Sequence, residues 1–559
     1  MTISNLHPSL ILFAAAALLP FVGRLRNLLA LAAPIAALLV VHQLSDDASL
    51  TFQFLGFDLE LLRVNRLSKV FGYIFTLNAA LVFVYSFSIK DRTPHAASLI
   101  YIGSALGVVF ARDLISLYLF WETMAVASTF LVLARRTGPA YSAAMRYIMV
   151  HIFGGLLLLA GILLHIHETG STDFDTFVQG VGQSSGSWLI LLGFLTNAAA
   201  VPFSSWLPDA YPESTVTGGV ILSAYTSKTA VYTLLVGFAG WKVLIPVGCV
   251  MAIYGIFYAL LENDMRRILA YSIINQVGFM VCAAGIGTEL AIDGAAAHAF
   301  CHILYKSLLW MSAGAVLYRT GKSKCTELGG LYKYMPWTFV LGTIGALAIS
   351  GVPFTSGFTS KTIIVYASEK AHLFWPWLVL EIASAGVFLH AGIKFPYFVF
   401  FNKDRGLRPK EAPSSMLIGM GLVAFLCIFL GVYPDPLYEV LPSTGFEFHA
   451  YTFEKLVTQC QLLSFSALVF FLMLKWLKRT PTIVLDFDWV YRKVVPVCVA
   501  LTDAFVEECD RYYQVYNRGK VCGFVRAWGE LPRKDRTRVH QIGWAAILAI
   551  AILGWLVFV

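Results

Sequence analysis

The chain has 559 residues, of which 58% are hydrophobic and 13% charged, with a formal net charge of +8. Soluble domains are about 45–50% apolar and about 25% charged, so this balance excludes a soluble globular fold and predicts an all-α polytopic membrane protein. The positive excess lies in short loops and in a basic stretch near the end, which is a pattern of membrane orientation and not of nucleic-acid binding.

The apolar start, Leu10 to Gly23, has no basic residue before it and is followed by Arg24 and Arg26. A signal peptide has the reverse order, so this segment is expected to be kept as a first helix. A span needs about 20 apolar residues. On that ruler about sixteen spans fall at 8–23, 27–44, 68–88, 95–110, 113–134, 143–165, 187–203, 214–237, 241–261, 267–286, 291–317, 336–366, 374–400, 414–434, 457–476 and 541–559. Arg24 and Arg26, Lys90 and Arg92, Arg135 and Arg136, Arg266 and Arg267, Arg319, Lys322 and Lys324, and Lys403, Arg405, Arg408 and Lys410 all fall on one side of that count. Asp46, Asp47, Asp173, Asp175, Glu439 and Glu447 fall on the other. The positive-inside rule then places the basic loops in the cytoplasm and the N-terminus outside, as expected for a bacterial inner membrane.

Two spans carry nearly the same interruption: Val201-Pro202-Phe203-Ser204-Ser205 and Val352-Pro353-Phe354-Thr355-Ser356. Proline removes a backbone donor, and a helix broken in lipid survives only where protein or a water-filled cavity satisfies the freed groups. Paired interruptions of this kind, at Pro202 and Pro353, point to the ion path of a transporter.

Charged groups inside spans are costly and mark such paths. Glu122 sits mid-span with no neutralising neighbour in sequence, so it is expected to be paired or protonated. Lys228 is too deep in its span to snorkel. His298, His302 and Lys306 recur at i, i+4 and i+8, which puts them on one face of a helix as a proton relay. Metal ligation, the competing use of such histidines, is disfavoured by the absence of an adjacent carboxylate on this helix. Lys361 follows the second break. His151, Glu381 and His390 are weaker candidates, and Lys394, near the end of its span, is expected to snorkel.

The nine cysteines form no C-x-x-C pair, and no Walker loop or dinucleotide fingerprint stands at a strand–helix junction. No metal, nucleotide or redox cofactor is therefore expected. Residues 477–540 interleave charges with aromatic residues and read either as an amphipathic, partner-docking segment or as a solvated loop.

Several strings carry a family resemblance: Leu119-Phe120-Trp121-Glu122, Trp206-Leu207-Pro208-Asp209-Ala210, Lys228-Thr229-Ala230-Val231-Tyr232, Asp264-Met265-Arg266-Arg267-Ile268-Leu269-Ala270-Tyr271-Ser272, the His298, His302, Lys306 stripe, Gly329-Gly330-Leu331 with Met335-Pro336, and Gly357-Phe358 with Ser360-Lys361. In this order and spacing the chain resembles, from about residue 70 to 400, the proton-conducting antiporter-like subunits shared by Mrp-type Na+/H+ antiporters, respiratory complex I and membrane-bound hydrogenases. The resemblance, strongest to the D-type subunit of Mrp antiporters, implies two inverted five-helix repeats, each with a broken helix. They would occupy 95–238 and 239–400, between N-terminal helices at 1–94 and C-terminal helices at 401–476. Segment 477–540 and a last span at 541–559 would follow.

It further implies proton translocation by Glu122, Lys228, His298, His302, Lys306 and Lys361, within a complex of other membrane subunits that exchanges H+ for a cation such as Na+. Asn197 stands where the family places a lysine partner for the glutamate. Either Lys228 pairs with Glu122, or Glu122 is protonated, or an ion or water fills the gap, and His151 is a substitute titrating group. The alternatives are an energy-coupling subunit of a quinone oxidoreductase, hydrogenase or inorganic-carbon uptake complex, and a membrane scaffold that has lost transport.

Overall fold

The computed structural model describes residues 6–516, apart from 46–47, 55–56, 90–93, 178, 181–182, 478–479 and 481–485. The expected span at 541–559, the Lys90–Arg92 loop and much of the mixed segment lie outside the described residues. The helices begin with α1 Pro8–Leu18 and α2 Arg26–Gln43. An antiparallel hairpin of β1 Ser49–Phe54 and β2 Phe57–Arg63 follows, with a register shift between Leu50 and Thr51. This hairpin is a departure from the all-α expectation. Its period-2 alternation is too short to have been read as a span, and it buries Leu59 and Leu62 against the helices.

Next come α3 Arg66–Ser86, α4 Pro94–Phe110, α5 Leu114–Leu133, α6 Gly138–Thr169, α7 Gly186–Asn197, the short α8 Trp206–Ala210, α9 Val216–Ala224 and α10 Thr226–Gly237. After these run α11 Leu244–Leu261, α12 Met265–Ile286, α13 Glu289–Thr320, α14 Pro336–Ser350, α15 Ser356–Lys370 and α16 Phe374–Val387, which continues as a π-helical turn over Phe388–Lys394. The chain then forms α17 Ser414–Val432, the short α18 Asp435–Tyr438, α19 Phe453–Leu472 and α20 Val495–Tyr516. Among the described residues ten helices are long and apolar enough to cross a membrane, and four shorter apolar helices accompany them. The protein is a multi-pass membrane protein. The expected span at 336–366 is two half-helices, α14 and α15, because Gly351 turns left-handed and Phe354 follows at a positive φ of 66°.

Two runs of elements match in sequence. In the first, Asp113 caps α5, Thr137 caps the 32-residue α6, and α7 breaks after Asn197. In the second, Asp264 caps α12, Thr288 caps the 32-residue α13, and α14 breaks after Ser350. Each aspartate also makes a lone β-bridge, Asp113 with Asp173 and Asp264 with Lys324. Side-chain oxygens at these caps accept the free N–H groups of the first turn, which fixes where each helix starts.

The two matching starts lie at opposite ends of the bundle. At one end Arg63 pairs with Asp175, and Arg112 pairs with Glu60 at 3.0 Å. At the other, Arg135 at the end of α5 donates to the Pro212 carbonyl at 2.6 Å, and Arg266 at the start of α12 donates to the same oxygen at 2.6 Å.

Arg266 corrects the sequence reading, which counted it as a solvated loop charge. It is buried, clamps the 212–215 turn through the carbonyls of Pro212, Ser214 and Thr215, and stacks on Trp310 at 5.2 Å. Five donors on one planar group can saturate a turn whose own carbonyls have no helical partners.

Helices α12 and α13 form the centre of the bundle and are buried over nearly all of their apolar length. The beginning of the mixed segment docks on this core. Asp486 accepts hydrogen bonds from the hydroxyls of Tyr254 and of Tyr271, the latter at 2.6 Å. Arg492 joins Arg146 in holding the buried Asp209 of α8.

Candidate functional site

The site is built on three places where a helix stops and frees a carbonyl. A buried carbonyl left without a donor costs about 1–3 kcal/mol, so what satisfies each one is informative. At the first break, after Asn197, Ala199 turns left-handed and the Thr196 carbonyl accepts from the Ala199 N–H at 3.1 Å and from the indole N–H of Trp206 at 3.0 Å. At the break after Ser350, the freed carbonyl of Ser350 accepts from the Lys361 ammonium and from the Gln459 amide, both at 3.3 Å. Only glycine fits at position 351, since φ is +72° and a Cβ would lie 3.1 Å from Lys361 Cε.

The third break was not legible in the sequence. It parts α9 from α10 at Tyr225, with no proline. The hydroxyl of Tyr101 accepts the Thr226 N–H at 2.9 Å, and the freed Ser223 carbonyl takes Lys228 Nζ at 2.7 Å. Two of the three breaks are thus closed by a lysine and one by neutral donors, a backbone N–H and an indole.

Between the two lysines runs the polar stripe of α13. His298, His302 and Lys306 are fully buried on one face, with the two histidine rings 6.2 Å apart. His298 Nδ1 lies 3.3 Å from the Ser360 hydroxyl, next to Lys361. Both ring nitrogens of His302 and the Lys306 ammonium have no hydrogen-bond partner. His302 and Lys306 are in electrostatic reach of Lys228, and His298 of Lys361. Five of the six expected path residues therefore form one buried line: Lys228, Lys306, His302, His298 and Lys361.

Lys361 opens on a cavity of about 200 Å³ lined by Glu369, Glu381, Ser384, Glu454 and Gln459. Glu381 faces Lys361 there, close enough to interact electrostatically. His390 lies in the π-helical turn, binds the Gly386 carbonyl through Nδ1 at 2.8 Å, and is in electrostatic reach of Lys306 and Lys361. Lys394 does not snorkel. It is buried and caps α11 by donating to the carbonyls of Ala259, Leu260 and Glu262.

The sixth residue, Glu122, stands apart. Its carboxylate abuts Gly155 of α6, where a Cβ would overlap it, and Oε1 is buried without a partner. Lys228 is spent on Ser223 and Ser227, so no ion pair forms between Lys228 and Glu122 among the described residues. Asn197 instead bonds His151 Nδ1 at 2.8 Å. Behind this break lies a cavity of about 560 Å³ with a mostly apolar wall of Met149, Val150, Phe153, Pro202, Phe203 and Trp206.

Residues 111–387, which hold all six path residues, match the family described as NADH:quinone oxidoreductase/Mrp antiporter, TM. This stretch of the chain belongs to that family. Relatives include the A-type subunit of the Na(+)/H(+) antiporter of Alkalihalophilus pseudofirmus, 30% identical over 424 residues that cover 67% of this chain and 52% of the relative. Hydrogenase-4 component B of Escherichia coli is 28% identical over 371 residues, covering 60% of this chain and 55% of the relative. The chain spans about half the length of the curated relatives it matches. One protein of the archaeal membrane-bound sulfane sulfur reductase shares the fold, with a TM-score of 0.75 over 93% of this chain and 97% of that one at 23% identity.

Proposed function

We propose that the protein is a proton-translocating membrane subunit of a multi-subunit complex, of the kind found in Mrp-type cation/proton antiporters. The observation that carries this reading is the buried line from Lys228 through Lys306, His302 and His298 to Lys361, in which His302 and Lys306 have no hydrogen-bond partner among the described residues and both end lysines close helix breaks. Groups bonded on all sides hold a core together, whereas titratable groups with free valences can exchange protons with neighbours and water. Moving one elementary charge across 100 mV is worth about 2.3 kcal/mol, and a buried polar group that loses its partner forfeits about 1–3 kcal/mol. The exchange of partners by a buried lysine is thus on the scale of the driving force.

Opposite ends for the matching helix starts support the reading of two inverted repeats. The end bearing Arg135, Arg266 and Lys324 is taken as cytoplasmic, in a cell inner membrane. Lys361→Ala and Lys306→Ala are expected to abolish proton flux in vesicles holding the complex, while the mutant protein still copurifies with its partners. Wild-type flux in either mutant contradicts the reading.

A second reading keeps the path and changes the partner. Similarity to hydrogenase-4 component B favours an energy-coupling subunit of a redox complex. Flux that needs an electron donor and ignores Na+ selects it. Na+-dependent flux selects the antiporter, and assignment as its D-type subunit then rests on which other proteins copurify.

A further inference from the structure

The first half contains a fully buried histidine that the line above leaves unused. His151 Nδ1 is held by Asn197, and its ring packs on Tyr147 and Trp206 at centroid distances of 4.1 and 4.7 Å. The large majority of buried side-chain polar atoms have a hydrogen-bond partner. Here Nε2 is buried without a partner among the described residues, and so are Asn197 Nδ2 and Glu122 Oε1. On a helix turning about 100° per residue, His151 points between Gly154, about 60° to one side, and Gly155, about 40° to the other. Gly154 packs on Thr196, and Gly155 on Glu122. His151 therefore points between the Asn197 end of α7 and the Glu122 carboxylate of α5.

From His151 a set of hydroxyls leads towards Lys228. Tyr147, one turn away on α6, donates to the Ser128 hydroxyl at 2.9 Å and lies 6.5 Å from the Tyr211 ring. The Tyr211 hydroxyl is buried, in reach of Tyr101, Tyr147 and Thr226. Tyr101 and Thr226 share a hydrogen bond of 2.6 Å, and the hydroxyl of the next residue, Ser227, accepts from Lys228 Nζ at 3.2 Å. An apolar bundle has no packing need for four hydroxyls from three separate helices and a turn to converge, since burying them is unfavourable unless they are bonded.

We infer that His151, positioned by Asn197, is a proton-carrying group of the first half and exchanges protons with Lys228 through the hydroxyls of Tyr147, Tyr211, Tyr101 and Thr226. His151 Nε2 takes up a proton while Nδ1–H stays on the Asn197 oxygen. On release each hydroxyl, with bridging water, gains one O–H bond and gives up another, and the amine form of Lys228 becomes an ammonium. One positive charge moves from imidazolium to ammonium and no electrons are transferred. Glu122, beside Gly155, is the carboxylate nearest this route on α5.

The inference rests on the proton-translocating reading, and its test separates the two. Proton flux is measured in vesicles holding the complex with wild type, Lys361→Ala, His151→Gln, Tyr211→Phe and His151→Gln/Asn197→Lys, each checked for copurification. His151→Gln keeps the bond to Asn197 but cannot titrate. It is expected to lower flux at least about tenfold and to remove one limb of the pH profile, as when a charge carrier leaves a membrane path. Tyr211→Phe, which removes one oxygen, is expected to lower flux several-fold, and a lysine at 197 to restore flux to His151→Gln. A packing role predicts an unchanged pH profile and no rescue. If Lys361→Ala stops flux while His151→Gln and Tyr211→Phe run at the wild-type rate and profile, the His151 relay is wrong and the function stands. If Lys361→Ala leaves flux intact, or wild type shows none, the functional reading fails and the relay with it.

Discussion

The two proline breaks look alike in sequence and differ in chemistry. At Pro353 the freed carbonyl is closed by a lysine and an amide, and the break opens on a cavity walled by three glutamates. At Pro202 the carbonyl is closed by neutral donors, a backbone N–H and an indole, and the neighbouring cavity is walled mainly by apolar side chains. A broken helix alone therefore does not make an ion site. What matters is whether the group that satisfies the break can also change its charge.

Substitutions can break this comparison or sharpen it. The largest expected effect is at the second break: Lys361→Met removes the ionisable closure there and is expected to reduce flux to background, read by vesicle acidification. Lys306→Ala should do the same, because it empties the middle of the line. A smaller loss, several-fold, is expected for Gln459→Leu, which leaves the Ser350 carbonyl to Lys361 alone and so holds that lysine more tightly. Trp206→Phe leaves the Thr196 carbonyl to the Ala199 N–H alone, so thermal stability of the protein should fall by about 0.5–1.5 kcal/mol while flux stays within about twofold of wild type. The smallest effect on flux is expected for Asp209→Asn, which removes the charge that ties Arg492 to α8. Its signature is faster proteolysis of residues 486–516, with transport unchanged.

Much of the path was legible because membrane burial is expensive. A lysine, a carboxylate or a spaced pair of histidines inside an apolar run has few innocent explanations, and Lys228, Lys361 and the α13 stripe stood out for that reason. Proline marked two breaks of three. The third, at Tyr225, was hidden because a tyrosine hydroxyl on a distant helix competes for the Thr226 N–H, and nothing local records that contest. Arg266 looked like an ordinary loop charge, since burial by a turn folded over it leaves no local pattern. The Tyr101, Tyr147 and Tyr211 cluster escaped for a similar reason. Tyrosines in a membrane chain are usually read as interfacial anchors, and only the fold brings these three together.

The central claim is that transport depends on the charge-bearing closure of the second break and not on the neutral closure of the first. The most direct test is a side-by-side measurement of proton flux in vesicles holding the complex with Lys361→Met or with Trp206→Phe, at equal protein content. The account predicts background flux in the first and near-wild-type flux in the second. Equal loss in both, or flux that survives Lys361→Met, would contradict it.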